Sequence, residues 1–143
     1  MKIRGEQLKM SNKMTQYSYM KNPSGHVQFE NEHELYHFLE DKVFSWWKFS
    51  KQVEFAPSCR VDYLLYHGTR PVLVEVKNWF LRIKDMQQIL KYYVHAVERY
   101  GEDNFTLIVI AGGIEEPRRK ILEKLGVRVV LTKNLVEHYE RER

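Results

Sequence analysis

The dipeptide Gly68-Thr69 constrains this chain more than any other feature. It separates two runs rich in β-branched and aromatic residues, Cys59–His67 and Pro71–Lys77. Such runs on either side of a two-residue turn read as a β-hairpin. Glycine in the first turn position suits the type II′ geometry, whose twist matches that of the strands. A two-residue loop also fixes the register, with His67 facing Arg70. Asp62 then falls opposite Glu75, with Cβ atoms about 5 Å apart on one face. Lys77 shares that face, as does Leu73, while Val72, Val74 and Val76 point the other way, into a core.

Two carboxylates facing each other across a sheet repel and destabilise it. A divalent cation between them removes the conflict. Oxygen ligands suit Mg²⁺ or Mn²⁺ rather than zinc. A lysine beside such a cation can stabilise developing negative charge or orient an attacking water. Phosphodiester hydrolysis needs these parts. The competing reading is a surface hairpin whose Glu75 and Lys77 merely flank each other in solvent, since Glu-x-Lys is a common sequence. The apolar character of Leu64-Leu65 and Val72–Val76 argues instead for central strands.

The rest of the chain supplies an α/β frame. A helix is predicted from about Asn31 to Trp47, with Asn31 as N-cap, Glu34 three residues on as in a capping box, and an inward stripe of Leu35, Leu39, Val43 and Trp46. Gln52–Phe55 reads as a short strand. A second helix runs from about Ile83 to Arg99 and stops near Gly101. Phe105–Ala111 is a continuous apolar strand broken by Gly112-Gly113, Pro117–Leu125 a helix closed by Gly126, Val127–Leu131 a buried strand, and Asn134–Glu142 a last short helix. The order α-β-β-β-α-β-α-β-α indicates an α/β domain over residues 27–143 with a mixed central sheet. Residues 1–26 show no clear period and read as a flexible arm, with a turn at Asn22-Pro23-Ser24-Gly25.

The chain has 143 residues, one domain's worth, and a single cysteine, Cys59, so no internal disulfide forms. Its formal net charge is +4. Lys2, Arg4, Lys9, Lys13 and Lys21 against Glu6 carry that whole excess in the arm. A basic arm on a balanced body suits an anionic partner such as nucleic acid, although charged termini are often only solvated. No apolar run approaches a membrane span and no secretory h-region opens the sequence, so the expected compartment is the cytoplasm.

Arg60-Val61-Asp62-Tyr63-Leu64-Leu65 followed by Val72-Leu73-Val74-Glu75-Val76-Lys77 resembles the PD-(D/E)XK, restriction-endonuclease-like nuclease superfamily. The likeness extends to Gln88-Ile89-Leu90-Lys91-Tyr92, which looks like the Gln-x-x-x-Tyr motif of RecB-like and archaeal mismatch-endonuclease-like members, and to Glu32 on the first helix. It covers about residues 30–131; Val61 stands where the superfamily's name has proline. The resemblance implies that Asp62, Glu75 and the backbone carbonyl of Val76 bind Mg²⁺ or Mn²⁺. Lys77 would activate or position water, Gln88 would support the site, and Glu32 would add a metal or water contact. Four residues separate Gln88 from Tyr92, which favours Gln88 over Gln87. The resemblance further implies DNA as substrate, endonucleolytic cutting and a homodimer. Arg60, Trp79, Arg82 and Lys84 are candidate nucleic-acid contacts. Arg118, Arg119 and Lys120 form a further basic cluster that is more often a solvated face.

Besides a different nuclease task, such as junction resolution or RNA cleavage, two readings from other classes compete. One is a nucleic-acid-binding domain with an inactive site. The other rests on His33-Glu34-Leu35-Tyr36-His37, which matches the H-E-x-x-H pattern of zinc proteases. No H-x-x-G-x-x-H continuation follows, and only 32 residues precede the motif, without strand character.

Overall fold

The structure, a computed structural model, describes residues 17–141. Five strands form the central sheet: β3 (Phe49–Ala56), β4 (Cys59–His67), β5 (Arg70–Phe80), β6 (Thr106–Gly113) and β7 (Arg128–Leu131), in that spatial order. β3, β4 and β5 are antiparallel; β5, β6 and β7 are parallel. The change of sense falls at β5, the strand carrying Glu75 and Lys77. Short loops make the antiparallel half, whereas each parallel connection needs a crossover helix. These are α2 (Ile83–Tyr100) and α3 (Glu116–Leu125). The expected α/β order is thus observed.

Each sheet face is covered. On one side α2 places Met86, Ile89, Tyr92 and Ala96 against Leu73, Leu107 and Val109, a stripe at helical spacing. On the other, Val74, Val76 and Ile110 meet α1 (Glu32–Phe38), α4 (Thr132–Arg141) and a two-stranded N-terminal hairpin. β6 is apolar along its length because both of its faces are buried. No helix among the described residues is long and apolar enough to cross a membrane.

The N-terminal hairpin, β1 (Tyr19–Lys21) with β2 (Val27–Phe29), was not expected. Its turn is the Asn22–Gly25 signal, closed by Gly25 N–H donating to the Asn22 carbonyl at 2.8 Å. It straddles the boundary drawn at residue 26. Residues 1–16 of the basic arm lie outside the described residues. The hairpin is fastened by buried side chains: Asn78 accepts from Phe29 N–H (2.9 Å) and donates to the Phe29 carbonyl (2.8 Å), while Thr132 Oγ1 donates to the Val27 carbonyl (2.6 Å).

Other boundaries moved for identifiable reasons. Asn31 caps α1 as expected, accepting from Glu34 N–H at 2.9 Å. α-Geometry stops at Phe38, and Leu39–Val43 form a π turn that ends with Phe44 N–H bonded to the Leu39 carbonyl. The wider turn rotates later residues off the inward stripe, so Trp46 is 95% exposed rather than packed. Trp47 lies beside His67. Gly112 and Gly113 do not break β6 but belong to it. A Cβ on Gly112 would stand 3.0 Å from the Trp79 backbone, so glycine permits a close approach to β5 here. β5 accordingly runs on to Phe80, which puts Trp79 in a strand rather than a loop.

Candidate active site

The hairpin register is the one read from the turn. Tyr63 pairs with Val74, and the ladder runs without slip to His67 and Arg70. Of the turn residues only Gly68 takes a positive φ, as a type II′ turn requires. The backbone ladder ends one step short of Asp62, however. There the side chain takes over: Asp62 Oδ2 accepts from Val76 N–H at 2.7 Å. Asp62 Oδ1 accepts from the Tyr36 hydroxyl at 3.0 Å and from Gln52 Nε2 at 3.1 Å.

Glu75 is 5% exposed. Its Oε2 lies 3.3 Å from Lys77 Nζ, and its Oε1 is buried with no hydrogen-bond partner. Burial, and then the facing Asp62 carboxylate, push the Glu75 pKa up to about 8 against the opposing pull of Lys77. An ionised Glu75 therefore presents an oxygen to Asp62 with no donor between them; a proton or a cation satisfies it. The Tyr36 hydroxyl is held protonated well above its ordinary range, first by burial and then by Asp62.

This has a thermodynamic consequence. An unfolded Glu75 loses its proton near the ordinary 4.5, whereas the folded one keeps it to about 8. Between these values the native state binds more protons, so stability falls as pH rises. Glu75→Gln is expected to raise the metal-free melting temperature at pH 9 by roughly 5 °C or more. The gain should vanish below pH 5, and thermal unfolding across pH checks it.

The donors fit a divalent cation. Asp62 keeps one open acceptor position, on Oδ2, and the neighbouring Glu75 carboxylate keeps an orphaned Oε1. Hard carboxylate oxygens with water completing the shell are the ligands Mg²⁺ takes. Among the described residues no three His, Cys, Asp or Glu side chains gather into a ready-made cage. Glu32, like Asp62 and Glu75, acts electrostatically on the Tyr36 hydroxyl. It is half-buried near Tyr36, whose hydroxyl it helps keep protonated.

Helix α2 braces the site from below. Tyr92 donates its hydroxyl proton to the Arg60 carbonyl at 3.0 Å, and Gln88 Nε2 donates to that hydroxyl at 3.3 Å. Burial, then Glu75, push the Tyr92 pKa up to about 12. Gln88 is half-buried and Gln87 exposed, so the four-residue spacing selected the inward residue. The Arg60 side chain is exposed, two residues before Asp62 on β4.

Trp79 is already engaged: Lys77 Nζ and the Arg82 guanidinium lie over its ring at 5.6 and 5.0 Å, and its indole N–H donates to Asp85 at 2.9 Å. Arg82 is the N-cap of α2 and pairs with Asp85 at 3.1 Å. Burial opposes ionisation of Asp85, yet its bonds from Arg82 and Trp79 hold the pKa down to about 2. Lys84 is exposed in the first turn of α2. Arg118 and Arg119 are spent on structure, donating to the Leu81 and Val129 carbonyls.

Among the described residues the H-E-x-x-H helix belongs to no group of three metal-ligating side chains. Glu34 accepts from Ser18 N–H, and His37 pairs with Asp41 at 3.2 Å.

The fold has solved counterparts. A repair endonuclease from Pyrococcus abyssi superposes with a TM-score of 0.60 at 22% identity, covering 73% of this chain and 50% of that one. EndoMS bound to double-stranded DNA gives 0.59 at 19% identity, covering 71% and 44%. This chain's fold is restriction-endonuclease-like. EndoMS without DNA gives a TM-score of 0.55 at 17% identity, covering 73% and 53%. The chain thus matches about half the length of these restriction-endonuclease-like proteins. No family model and no curated relative matches it.

Sequence reasoning missed Tyr36 and Gln52. Pro57-Ser58 reads as a two-residue turn, and counting back from Ala56 and Cys59 would place Val53 opposite Asp62. A register shift between Glu54 and Ala56 moves Gln52 there instead.

Proposed function

We propose that this chain is a divalent-metal-dependent nuclease that hydrolyses DNA phosphodiester bonds endonucleolytically. The observation that carries this reading is the buried Glu75 carboxylate, its Oε1 partnerless, close to Asp62 and with Lys77 alongside. The restriction-endonuclease-like fold supports it, as do the counterparts, one a repair endonuclease and one solved with double-stranded DNA.

Asp62 Oδ2, Glu75 Oε1 and the Val76 carbonyl would hold the Mg²⁺ or Mn²⁺. When bound, the ion supplies Lewis acidity and an acidified water. Lys77, held between Glu75 and the Trp79 ring, keeps its ammonium beside the carboxylates, placed to orient the attacking water or meet charge developing on the phosphate. Gln88 and Tyr92 fix the Arg60 carbonyl, and so the part of β4 that leads into Asp62. Exposed Arg60 and Lys84 would contact backbone phosphates. Two copies acting together would cut both strands.

Labelled single-strand, duplex, flap and four-way-junction DNAs incubated with Mg²⁺, Mn²⁺ or EDTA test this. Internal cuts with either ion and none in EDTA are expected. Undiminished cutting in EDTA would sink the metal mechanism. Binding without any cutting would assign a DNA-binding domain with an inactive site.

A further inference from the structure

Among the described residues three non-glycine residues adopt a positive φ, and two of them lie at turns: Ser58 between β3 and β4, and Asp103 after α2. The third, Gln52, has φ +53 in the middle of β3, where no turn demands it. Side chains rarely occupy this left-handed region, because Cβ crowds the following carbonyl. The β3–β4 ladder keeps one register from Phe49 to Glu54, with Lys51 on Tyr63 and Val53 on Val61, and within that stretch omits the step at Gln52 and Asp62. Around that step both strands change sides. Phe49 and Tyr63 pack in the core beneath α1, whereas Val53 and Val61 pack in the core against α2.

Glycine would make such a kink without steric strain. What glutamine adds is a primary amide, and that amide is bonded to Asp62 Oδ1. A carboxylate offers about four acceptor positions. Tyr36 and Gln52 take both on Oδ1, and Val76 N–H takes one on Oδ2. We infer that Gln52 is a positioning residue of the Asp62–Glu75 site: its strained backbone aims its amide at Asp62 Oδ1, so that the carboxylate turns its one open acceptor, on Oδ2, to a divalent cation. This inference rests on the metal-site reading proposed above. Tyr36 makes the companion bond, but its ring also packs edge-on against Tyr63, so its loss would disturb the core. Gln52 is exposed and its side chain can be removed without opening a cavity.

The test compares the wild-type chain with Gln52→Gly and Gln52→Asn, reading Mn²⁺ affinity by calorimetry or electron paramagnetic resonance, melting temperature, and the Mg²⁺ concentration for half-maximal DNA cleavage. Glycine relieves the strain and removes the amide. Asparagine tolerates the left-handed backbone but is one methylene too short. Both variants are expected to melt no lower than wild type, to bind Mn²⁺ about tenfold more weakly, and to need correspondingly more Mg²⁺. Wild-type Mn²⁺ affinity in both would overturn the inference while leaving the nuclease reading intact. So would a fall in Mn²⁺ affinity that merely tracks a fall in melting temperature, since that assigns the kink to folding alone. A wild-type chain that neither binds Mn²⁺ nor cuts DNA removes the nuclease reading and this inference with it.

Discussion

Asp62→Ala is expected to lower metal-dependent DNA cleavage by at least about 10³-fold while the chain stays folded. The substitution removes one of two carboxylates able to hold the ion and strands three donors: Val76 N–H, the Tyr36 hydroxyl and the Gln52 amide. The Tyr36 hydroxyl and the Gln52 amide can turn to water, while the N–H of buried Val76 costs about 1–3 kcal/mol to strand, a penalty smaller than the catalytic one. The substitution also takes away the charge that helps raise the Glu75 pKa, which offsets part of the loss at alkaline pH. Lys77→Ala separates the two carboxylates' role from that of the cation. Its expected loss is about 10²–10³-fold. Lys77 pulls the Glu75 pKa down, so without it Glu75 keeps its proton to higher pH. The acid limb of the cleavage profile should therefore move to higher pH, and raising the pH should recover part of the activity. Pre-steady-state cleavage across pH, with circular dichroism to confirm folding, measures both. Full activity in either variant would remove the assigned residue from the site.

Asn78→Ala carries the largest expected effect on stability. Asn78 is 4% exposed and makes a two-way pair with Phe29, donating to its carbonyl and accepting from its N–H. Alanine leaves both backbone groups buried without partners, which costs about 2–5 kcal/mol in all. For a chain of this size that is a fall in melting temperature of about 10 °C. The loss should be local in origin: Phe29 and its neighbours should lose amide protection before β5 and β6 do. Cleavage per folded molecule should persist at low temperature, because Asp62, Glu75 and Lys77 take nothing from this bond. A variant that melts with the wild type would mean that the hairpin is docked by its apolar contacts alone.

What could be read in advance divides along a physical line. The β4–β5 register followed from Gly68-Thr69 because a two-residue turn leaves no freedom in pairing, and Glu75 and Lys77 fell on one face for the same reason. Gln88 and Tyr92 came from the resemblance, whose Gln-x-x-x-Tyr spacing puts both residues on one face of a helix, where they bond to each other. The roll of β3 and β4 at Gln52 and Asp62 did not, since it is set by a single backbone dihedral that no residue type announces. Gly112-Gly113 misled because glycine marks both a break and a close approach, and only the neighbouring strand tells them apart. The π turn after Phe38 likewise leaves the apolar pattern of α1 intact and discards only its last member, Trp46.

The kink at Gln52 also bears on how the chain behaves in a crowd of its own copies. Among the described residues β3 is an outer strand of the sheet, and an eight-residue edge with the amides and carbonyls of alternate residues unpaired would offer a template to any extended segment nearby. A left-handed residue near its middle splits that row into Phe49–Lys51 and Val53–Ala56, pieces too short to seed a lasting intermolecular ladder. Gln52→Val, which favours a straight strand, is therefore a change to avoid in preparing this protein at high concentration.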